Sequence, residues 1–416
     1  MEKIEFIRRQ ITQIQTGGYE VFARKIKLLS TLMVTRVVPI VIYLIPAFCL
    51  RVLNFRFPNF LTARIGHLMS EPDCYLKEER LGLIPKRMII MLSPNNQVAN
   101  QSVIRYWSQH FFVIKNKLIV KLLHPLTSHP LSRVDVRRYN VAVNKSAEYC
   151  KIQSLWSDRP PLLRITQDDN YRGQQALADI GIPPDAWFVC FHSRDDGYSP
   201  SDENFNSFRN FSFEDYKLAI EYISAKGGIC IAMGDSSMQP ISHMNNVIDY
   251  AHHPIRNDSL DLYLAANCRL FLGNSSGAFL MASVFGVPVA CCNIVPFSGV
   301  FVFGKKDIAI PKLYKETASG RLLPFKEILD SPMANFRYSS HYESAGIELI
   351  NNSPEDIMAL ALEQFEISNS SDFVYSEEDD ALQLRFRELF KPGHYSYGSA
   401  SRVGRAFLKR YQHLLP

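Results

Sequence analysis

A short apolar segment that ends in a cluster of charged side chains is the part of the sequence best suited to chemistry. Residues Trp187–Phe191 are apolar, and His192, Arg194, Asp195 and Asp196 follow at once. An apolar run this short predicts a strand buried on both faces of a parallel sheet, and ligands bind at the carboxyl ends of such strands. The Arg194 guanidinium is a planar, permanent cation that suits a diphosphate. The alternative is a buried Arg–Asp pair that only closes a loop.

A second segment joins another predicted strand to a turn of small residues. Cys268–Leu272 is apolar, Gly273-Asn274-Ser275-Ser276-Gly277 follows, and a helix is predicted over Ala278–Phe285. A helix start presents backbone N–H groups and the positive end of the helix dipole, which favour a phosphate. The two serines could add hydroxyl donors. The alternative is a capped tight turn, but two such tips in one α/β domain favour a nucleoside-diphosphate site.

These two tips belong to a pattern that extends along most of the chain. It comprises His192-Ser-Arg-Asp-Asp-Gly-Tyr198, Arg209, Phe213-Glu-Asp-Tyr216, Gly227-Gly228, Met233-Gly234, Asp249-Tyr250-Ala251, Asp261, Ser275-Ser276-Gly277, Arg64-Ile-Gly66-His67-Leu68, Tyr75-Leu-Lys77 and Ile347–Glu355. The pattern resembles a bacterial family assigned as glycosyltransferases. More distantly, His-x-Arg-x-Asp with a later Ser-Ser before a helix is similar to fucosyltransferases with two Rossmann-like domains, the GT-B architecture.

The resemblance implies transfer of a sugar from a nucleotide sugar to a glycan or lipid-linked acceptor, in the synthesis of a surface polysaccharide or glycoconjugate. It further implies a metal-independent, inverting reaction with no cofactor besides the donor substrate. Arg194 would offset the charge of the departing diphosphate, as a metal ion does in other transferases. Asp249, Tyr250 and Arg256 would border the nucleobase. The predicted substrate-binding residues are His192, Arg194, Asp196, Gly234, Asp249, Tyr250, Asp261, Asn274, Ser275, Ser276, Gly277, Asn95 and Gln97.

A turn near the start of the chain supplies a candidate catalytic base. Arg64-Ile-Gly66-His67 predicts another strand-to-helix turn, where Gly66 would let a ligand approach closely. His67 is predicted to deprotonate the acceptor hydroxyl, because imidazole titrates near neutrality. Two alternatives remain: His67 caps a core helix, or Asp195 is the base. Asn95 and Gln97 could bond sugar hydroxyls or simply form a turn.

The predicted fold class is α/β and GT-B-like, with two Rossmann-like domains facing a cleft. The chain has 416 residues and 47% hydrophobic content, enough for two domains with their own cores. The predicted parts are a basic and apolar helical segment over 1–54, an acceptor domain over 55–158, a nucleotide-sugar domain over 159–370, and helices over 371–416 that pack back on the first domain.

The apolar stretch over residues 28–50 predicts contact with a membrane. Its length would span a bilayer, but Arg36, Pro39 and Pro46 interrupt it, and a central Arg costs about 2.5–3.5 kcal/mol on insertion scales. The basic flanks favour an in-plane anchor on an anionic surface, which predicts a cytoplasmic protein bound peripherally to the inner membrane. A buried hairpin and a true span remain alternatives.

Composition argues against other classes. The net charge of +5, without a long basic run, is atypical of nucleic-acid binding. The eight cysteines include no Cys-x-x-Cys pair, and several lie in apolar strands, as reduced thiols do in cytosolic proteins. The absence of an Asp-x-Asp flanked by apolar strand residues, and of a His/Cys ligand set, fits metal independence.

Two other functions remain as alternatives. Nucleotide-sugar 2-epimerases resemble the chain over 275–288, but they typically carry glutamates in the first helical turn, where Leu280 and Met281 stand here. A non-catalytic scaffold is the other alternative. The joint presence of Arg194, Asp195 and the serine turn argues against a scaffold.

Overall fold

The computed structural model describes residues 2–94, 97–140, 146–196, 206–241, 244, 247–370 and 372–416. The strands in these residues are β1 (Phe55–Pro58), β2 (Met88–Leu92), β3 (Phe112–Ile114), β4 (Arg133–Val134), β5 (Phe188–Phe191), β6 (Ile229–Ala232), β7 (Val247–Asp249), β8 (Phe271–Gly273), β9 (Val289–Ile294), β10 (Ile308–Pro311), β11 (Leu313–Glu316), β12 (Ile347–Ile350) and β13 (Arg402–Val403).

The α-helices alternate with these strands along much of the chain. They are α1 (Glu2–Leu32), α2 (Val38–Ile42), α3 (Leu44–Val52), α4 (Ile65–Arg80), α5 (Gln101–Trp107), α6 (Lys117–Leu123), α7 (Ser146–Trp156), α8 (Gln167–Asp179), α9 (Lys217–Ala225), α10 (Asp258–Asn267), α11 (Phe279–Val284), α12 (Phe325–Leu329), α13 (Ser339–Ser344), α14 (Pro354–Asn369), α15 (Glu377–Glu388) and α16 (Arg405–Arg410).

The chain divides into two compact units. Unit 1 comprises Met1–Asn59, Arg87–Asn95 and Phe111–Asp135, and unit 2 comprises Phe60–Lys86, Asn96–His110 and Val136–Pro416. Each unit contains a parallel sheet, so the α/β prediction with parallel sheets is confirmed. Helices α4 and α5 follow strands of unit 1 in sequence but belong to unit 2.

Unit 1 contains a four-stranded parallel sheet in the order β3-β2-β1-β4. Part of the predicted membrane segment packs in its core, because Ala47 of α3 is fully buried with Phe57 and Leu126. The Tyr43 hydroxyl also donates to the Leu122 carbonyl, with 2.6 Å between the oxygens. Among the described residues, no helix by itself has the length and apolar character of a membrane span. The bent pair Thr12–Ile42 and Leu44–Val52 meets that description by length and composition only.

Unit 2 contains a seven-stranded sheet in the order β13-β10-β9-β8-β5-β6-β7, in which every pair is parallel. From β5 the chain proceeds outward through β6 and β7, then crosses to β8 on the other side of β5. The switch point of the topology therefore lies between β5 and β8, where ligands bind in open α/β sheets. The two polar tips predicted from the sequence follow these two neighbouring strands.

The C-terminal segment 371–416 contributes a strand to the seven-stranded sheet of unit 2, and it also contacts the end of the predicted first domain, because the Ser154 hydroxyl donates to the Gly398 carbonyl at 2.9 Å. Strand β13 pairs with β10, and the Glu363 carboxylate of α14 accepts the backbone N–H of Arg405 at 2.7 Å. The Arg402 guanidinium forms an ion pair with Asp380 of α15. An open edge at β10 and carboxylates on α14 and α15 thus bind this segment to unit 2.

Candidate functional site

A cavity of about 720 Å³ lies in unit 2 at the carboxyl ends of its central strands. Residues that follow β5, β6, β8 and β9 line it, among them Arg194, Gly234, Ser276 and Val295. The first turn of α4 also contributes, through residues 64–67. A cavity of this volume is in the range that encloses a small organic ligand.

The charge of the lining residues favours an anionic ligand. Two described aspartates contribute to the lining, Asp235 and Asp261, against five arginines, which are Arg64, Arg194, Arg209, Arg256 and Arg337. Unit 2 as a whole has the opposite balance, with 32 Lys and Arg against 37 Asp and Glu. A cationic cavity within an acidic unit concentrates and orients phosphate-bearing molecules.

Arg194 is the buried cation of this cavity. Its guanidinium is 2% exposed, and Nη1 donates to the Asn206 carbonyl at 3.3 Å and to Oδ1 of Asn210. Its backbone N–H donates to Oδ1 of Asn274 at 3.2 Å. These contacts orient the guanidinium at the wall of the cavity.

A buried lysine fixes the loop that holds Arg194. Lys312 follows β10, and its Nζ donates to the carbonyls of Phe208 at 2.9 Å and Asn210 at 3.2 Å. Burial lowers the pKa of Lys312 to about 8. Sequence reasoning did not identify Lys312, because more than a hundred residues separate it from the loop that it contacts.

His192 links the two strand tips as a neutral imidazole. Its Nδ1 lies 3.1 Å from the Met233 carbonyl, which can only accept, so Nδ1 carries the proton. Nε2 therefore accepts the Ser276 hydroxyl at 2.9 Å. Burial lowers the pKa of His192, which favours the neutral form. The Ser275 hydroxyl donates to the Val295 carbonyl at 2.7 Å, so both serine hydroxyls, predicted as phosphate donors, are engaged within the protein.

His67 has different surroundings from His192. It is the third residue of α4, and its Nδ1 lies 2.9 Å from Oε1 of Glu71, one helical turn later. Glu71 is buried, and its other oxygen accepts the Leu61 N–H at 3.0 Å. The carboxylate thus orients the ring, which leaves Nε2 as the nitrogen that could take a proton. Glu71 was not predicted from the sequence, although its i,i+4 spacing from His67 on a helix indicates such a contact.

Two glycines bring the His67 turn and the serine turn together. A Cβ atom added to Gly66 would lie 2.8 Å from the Cα of Gly277, and one added to Gly277 would lie 3.0 Å from the Cα of Gly66. The sequence predicted that Gly66 lets a ligand approach. In the structure Gly66 lines the cavity, and its lack of a side chain also allows backbone contact between α4 and the turn before α11.

Asp261 is the most strongly perturbed carboxyl group of the cavity. The Tyr250 hydroxyl donates to its Oδ1 at 2.9 Å, Asn100 Nδ2 lies 3.5 Å from its Oδ2, and Arg256 Nε lies 3.8 Å from Oδ1. Burial raises the pKa of Asp261 to about 6 despite these partners. Tyr250, predicted to border the nucleobase, is buried and supports Asp261.

The predicted site residues fall into two groups. Those that line the cavity are His67, His192, Arg194, Gly234, Asp261, Ser275, Ser276 and Gly277. The lining does not include Asp195, Asp196, Asp249, Tyr250, Asn274 or Gln97, and Asn95 lies outside the described residues.

Asp195 and Asp249, which lie outside the lining, have partners within the protein. Asp195 accepts the Gln239 N–H at 2.7 Å. Asp249 accepts the Ile241 N–H at 3.0 Å and lies 2.9 Å from Nδ1 of His252. Across the described parts of the chain, no group of three or more His, Cys, Asp or Glu side chains is arranged to hold a metal ion.

Comparisons with known proteins give weak similarities. No protein-family model and no curated protein matches the chain. Among solved structures, it is similar to a family 9 glycosyl transferase from Veillonella parvula, with 14% identity, 73% of this chain and 78% of that chain covered, and a TM-score of 0.35. It is also similar to ADP-heptose LPS heptosyltransferase II of E. coli, with 12% identity, 57% and 84% coverage, and a TM-score of 0.33. A third structure, the glycotransferase of kitacinnamycin, has 10% identity, 87% and 98% coverage, and a TM-score of 0.28. TM-scores this low assign neither a family nor an activity.

Proposed function

We propose that this protein is a glycosyltransferase that moves a sugar from a nucleotide sugar to an acceptor hydroxyl. The observation that carries the proposal is the joint presence, in one cavity, of a buried cation and of an imidazole oriented by a carboxylate. The arginine suits the diphosphate of a nucleotide sugar, and the imidazole suits a hydroxyl that must lose a proton. The sequence resemblance to bacterial glycosyltransferases indicates the same class.

Arg194 stabilises the leaving group in the proposed reaction. As the bond between the anomeric carbon and the phosphate oxygen breaks, its electron pair goes to that oxygen, and a fixed cation offsets the new charge without reorganisation. Asn210 and the Asn206 carbonyl keep the guanidinium in place before the donor binds. This arrangement supplies the charge that a metal ion supplies in other transferases, so we propose that the reaction is metal-independent.

His67 acts as the general base in the proposed reaction. Its Nε2 takes the proton of the acceptor hydroxyl while the acceptor oxygen bonds to the anomeric carbon, and Glu71 stabilises the imidazolium that forms. Attack from the side opposite the departing phosphate inverts the anomeric configuration. The proposed acceptor is a glycan or lipid-linked sugar at the cytoplasmic face of the inner membrane, with the N-terminal segment bound peripherally to that membrane.

A donor-conversion assay tests this proposal and separates it from epimerisation. The purified full chain is incubated with UDP-, GDP-, CMP- and dTDP-sugars and a glycolipid extract as the acceptor source. The proposal predicts that one donor class releases its free nucleotide, without added metal, and that His67→Ala suppresses the release. An altered nucleotide sugar without release would identify an epimerase, and no conversion of any donor would favour a scaffold.

A further inference from the structure

Charged residues are divided unequally between the two units. Unit 1 contains 14 Lys and Arg against 4 Asp and Glu, whereas unit 2 contains 32 against 37. The contrast is sharper within unit 1, because the stretches 21–59, 87–95 and 111–134 together hold 11 Lys and Arg and no Asp or Glu. A surface built from these stretches is cationic at any pH below the range in which lysine and arginine lose their protons, and this favours an anionic partner.

One face of α3 is buried and the other is apolar and exposed. Ala47 is fully buried against the sheet of unit 1, whereas Ile45 is 75% exposed and Phe48 is also exposed. The preceding helix α2 exposes Val41 and Ile42 in the same way. Large apolar side chains grouped like this on a surface mark a contact with a protein or a membrane.

Helix α6 adds a second apolar face from a distant part of the sequence. Leu118 is 78% exposed, Leu122 is 62% exposed, and Val120 between them is buried. Lys117 and Lys121 of the same helix are exposed. The hydrogen bond from Tyr43 to the Leu122 carbonyl joins α6 to the segment that connects α2 and α3, so these faces adjoin within unit 1.

We propose that α2, α3 and α6 form one membrane-docking surface that rests on a bilayer containing anionic phospholipids. The exposed leucines, isoleucines and Phe48 would enter the boundary between headgroups and acyl chains. Lys115, Lys117 and Lys121 would contact the anionic headgroups. The inference rests on the membrane association proposed above, not on the transfer reaction, and it adds α6 to an anchor predicted only within residues 1–54.

The charge of this surface selects a lipid partner over a second copy of the chain. Two copies meeting through it would place cations against cations with no carboxylate from these stretches to pair them. An anionic leaflet supplies the complementary negative charge. Its fluid acyl region also accommodates exposed apolar side chains that do not together form a groove. About 1 kcal/mol per Lys near an anionic surface corresponds to about a fivefold change in affinity for each lysine.

Vesicle flotation of the full-length protein tests the proposal. Phosphatidylcholine vesicles with about one-third phosphatidylglycerol are compared with pure phosphatidylcholine vesicles. The wild type is expected to float with the anionic vesicles and much less with the neutral ones. Leu118→Glu with Leu122→Glu should lower binding about tenfold or more, because both side chains lose the apolar layer and gain a repelled charge. Lys117→Gln with Lys121→Gln should lower it about tenfold or more on anionic vesicles only.

Matched changes in unit 2 are the controls. Val374→Glu with Leu384→Glu alters two exposed apolar residues there, and Lys305→Gln with Lys306→Gln alters two exposed lysines. Both pairs should bind vesicles like the wild type, and every variant should keep its unfolding temperature, since all eight positions are exposed. Three results would each overturn the proposal. The first is wild-type vesicle binding by the leucine variant, and the second is equal binding of the wild type to neutral and anionic vesicles. The third is a concentration-dependent dimer that forms without vesicle binding and is lost in the leucine variant. Nucleotide binding is measured on the same preparations. Its outcome does not depend on vesicle binding, so the two measurements test the transferase site and this surface separately.

Discussion

Two histidines line the same cavity and have opposite surroundings. His192 is buried, donates to a backbone carbonyl through Nδ1, and accepts the Ser276 hydroxyl through Nε2. His67 lies at the first turn of a helix, with Nδ1 against the carboxylate of Glu71. An imidazolium would be stabilised next to Glu71, but next to the Met233 carbonyl it would have to form in a fully buried position. We therefore propose His67, rather than His192, as the proton acceptor, and His192 connects the two strand tips through its hydrogen bonds.

Replacing His67 should produce the largest effect on catalysis. We expect His67→Ala to lower turnover of the donor sugar about 10²- to 10⁴-fold, the usual contribution of a general base. The affinity for the nucleotide should stay within about twofold, because the proposed diphosphate contacts are made elsewhere. Steady-state kinetics with nucleotide-binding measurements on the same variant check both parts. His413→Ala, an exposed histidine near the C-terminus, is the control and should leave both quantities unchanged.

Glu71→Gln tests whether the carboxylate distinguishes the two histidines. The amide keeps the shape and can still accept a hydrogen bond, but it no longer stabilises an imidazolium. We expect turnover to fall about tenfold, with nucleotide affinity unchanged. In a His67→Ala background the same change should have little further effect, because the two residues act as a unit. Full additivity of the two losses would show that Glu71 does not act through His67.

Replacing His192 should affect stability more than chemistry. In His192→Asn the amide can still donate to the Met233 carbonyl, but it loses the contact with Ser276. We expect the free energy of unfolding to fall by about 1–3 kcal/mol, the cost of disturbing a buried hydrogen-bonding group. Turnover at saturating donor should change less than tenfold. Denaturant unfolding and kcat measure these effects, and a loss of turnover as large as that of His67→Ala would reverse the assignment of the two roles.

The pH dependence of stability gives the smallest effect and separates His192 from Asp261. The pKa of His192 is lowered on folding, so its contribution is present above pH 6.5 and is lost as the pH falls below it. The pKa of Asp261 is raised to about 6, so its contribution is present at low pH and is lost as the pH rises through about 6. Asp261→Asn should therefore steepen the loss of stability on acidification from pH 7 to 5, by about 1–2 kcal/mol. Identical pH profiles for the variant and the wild type would contradict this.

The sequence predicted the strand tips but not the contacts between distant segments. Trp187–Phe191 and Cys268–Leu272 were recognisable because short apolar runs before polar turns are typical of buried parallel strands, and β5 and β8 lie there. Their being neighbours depends on the crossover from β7 to β8, which no local pattern encodes. The contribution of Arg337 to the cavity and the bonds from Lys312 to the 206–210 loop likewise depend on tertiary packing.

Some residues were predicted to bind a ligand because of their local pattern, and in the structure they make contacts within the protein. Asp195 follows β5 and Asp249 ends β7, so both look like site residues, yet both accept backbone N–H groups from the segment between β6 and β7. Gly66 was predicted to admit a ligand, and besides lining the cavity it leaves room for the backbone of Gly277. Polar groups at strand ends pair with backbone N–H groups of nearby loops, and this structural role accounts for them without a ligand.

The central claim is that the cavity binds a nucleoside diphosphate through Arg194. The most direct measurement is a thermal-shift panel of the wild type and Arg194→Ala with GDP, UDP, CDP, CMP and dTDP, each with EDTA. A nucleotide at about 100 times its dissociation constant adds about 2.7 kcal/mol of stability. The account predicts that one nucleotide raises the unfolding temperature of the wild type in EDTA, and that Arg194→Ala abolishes the shift while remaining folded. No shift with any nucleotide, or a full shift in the variant, would contradict it.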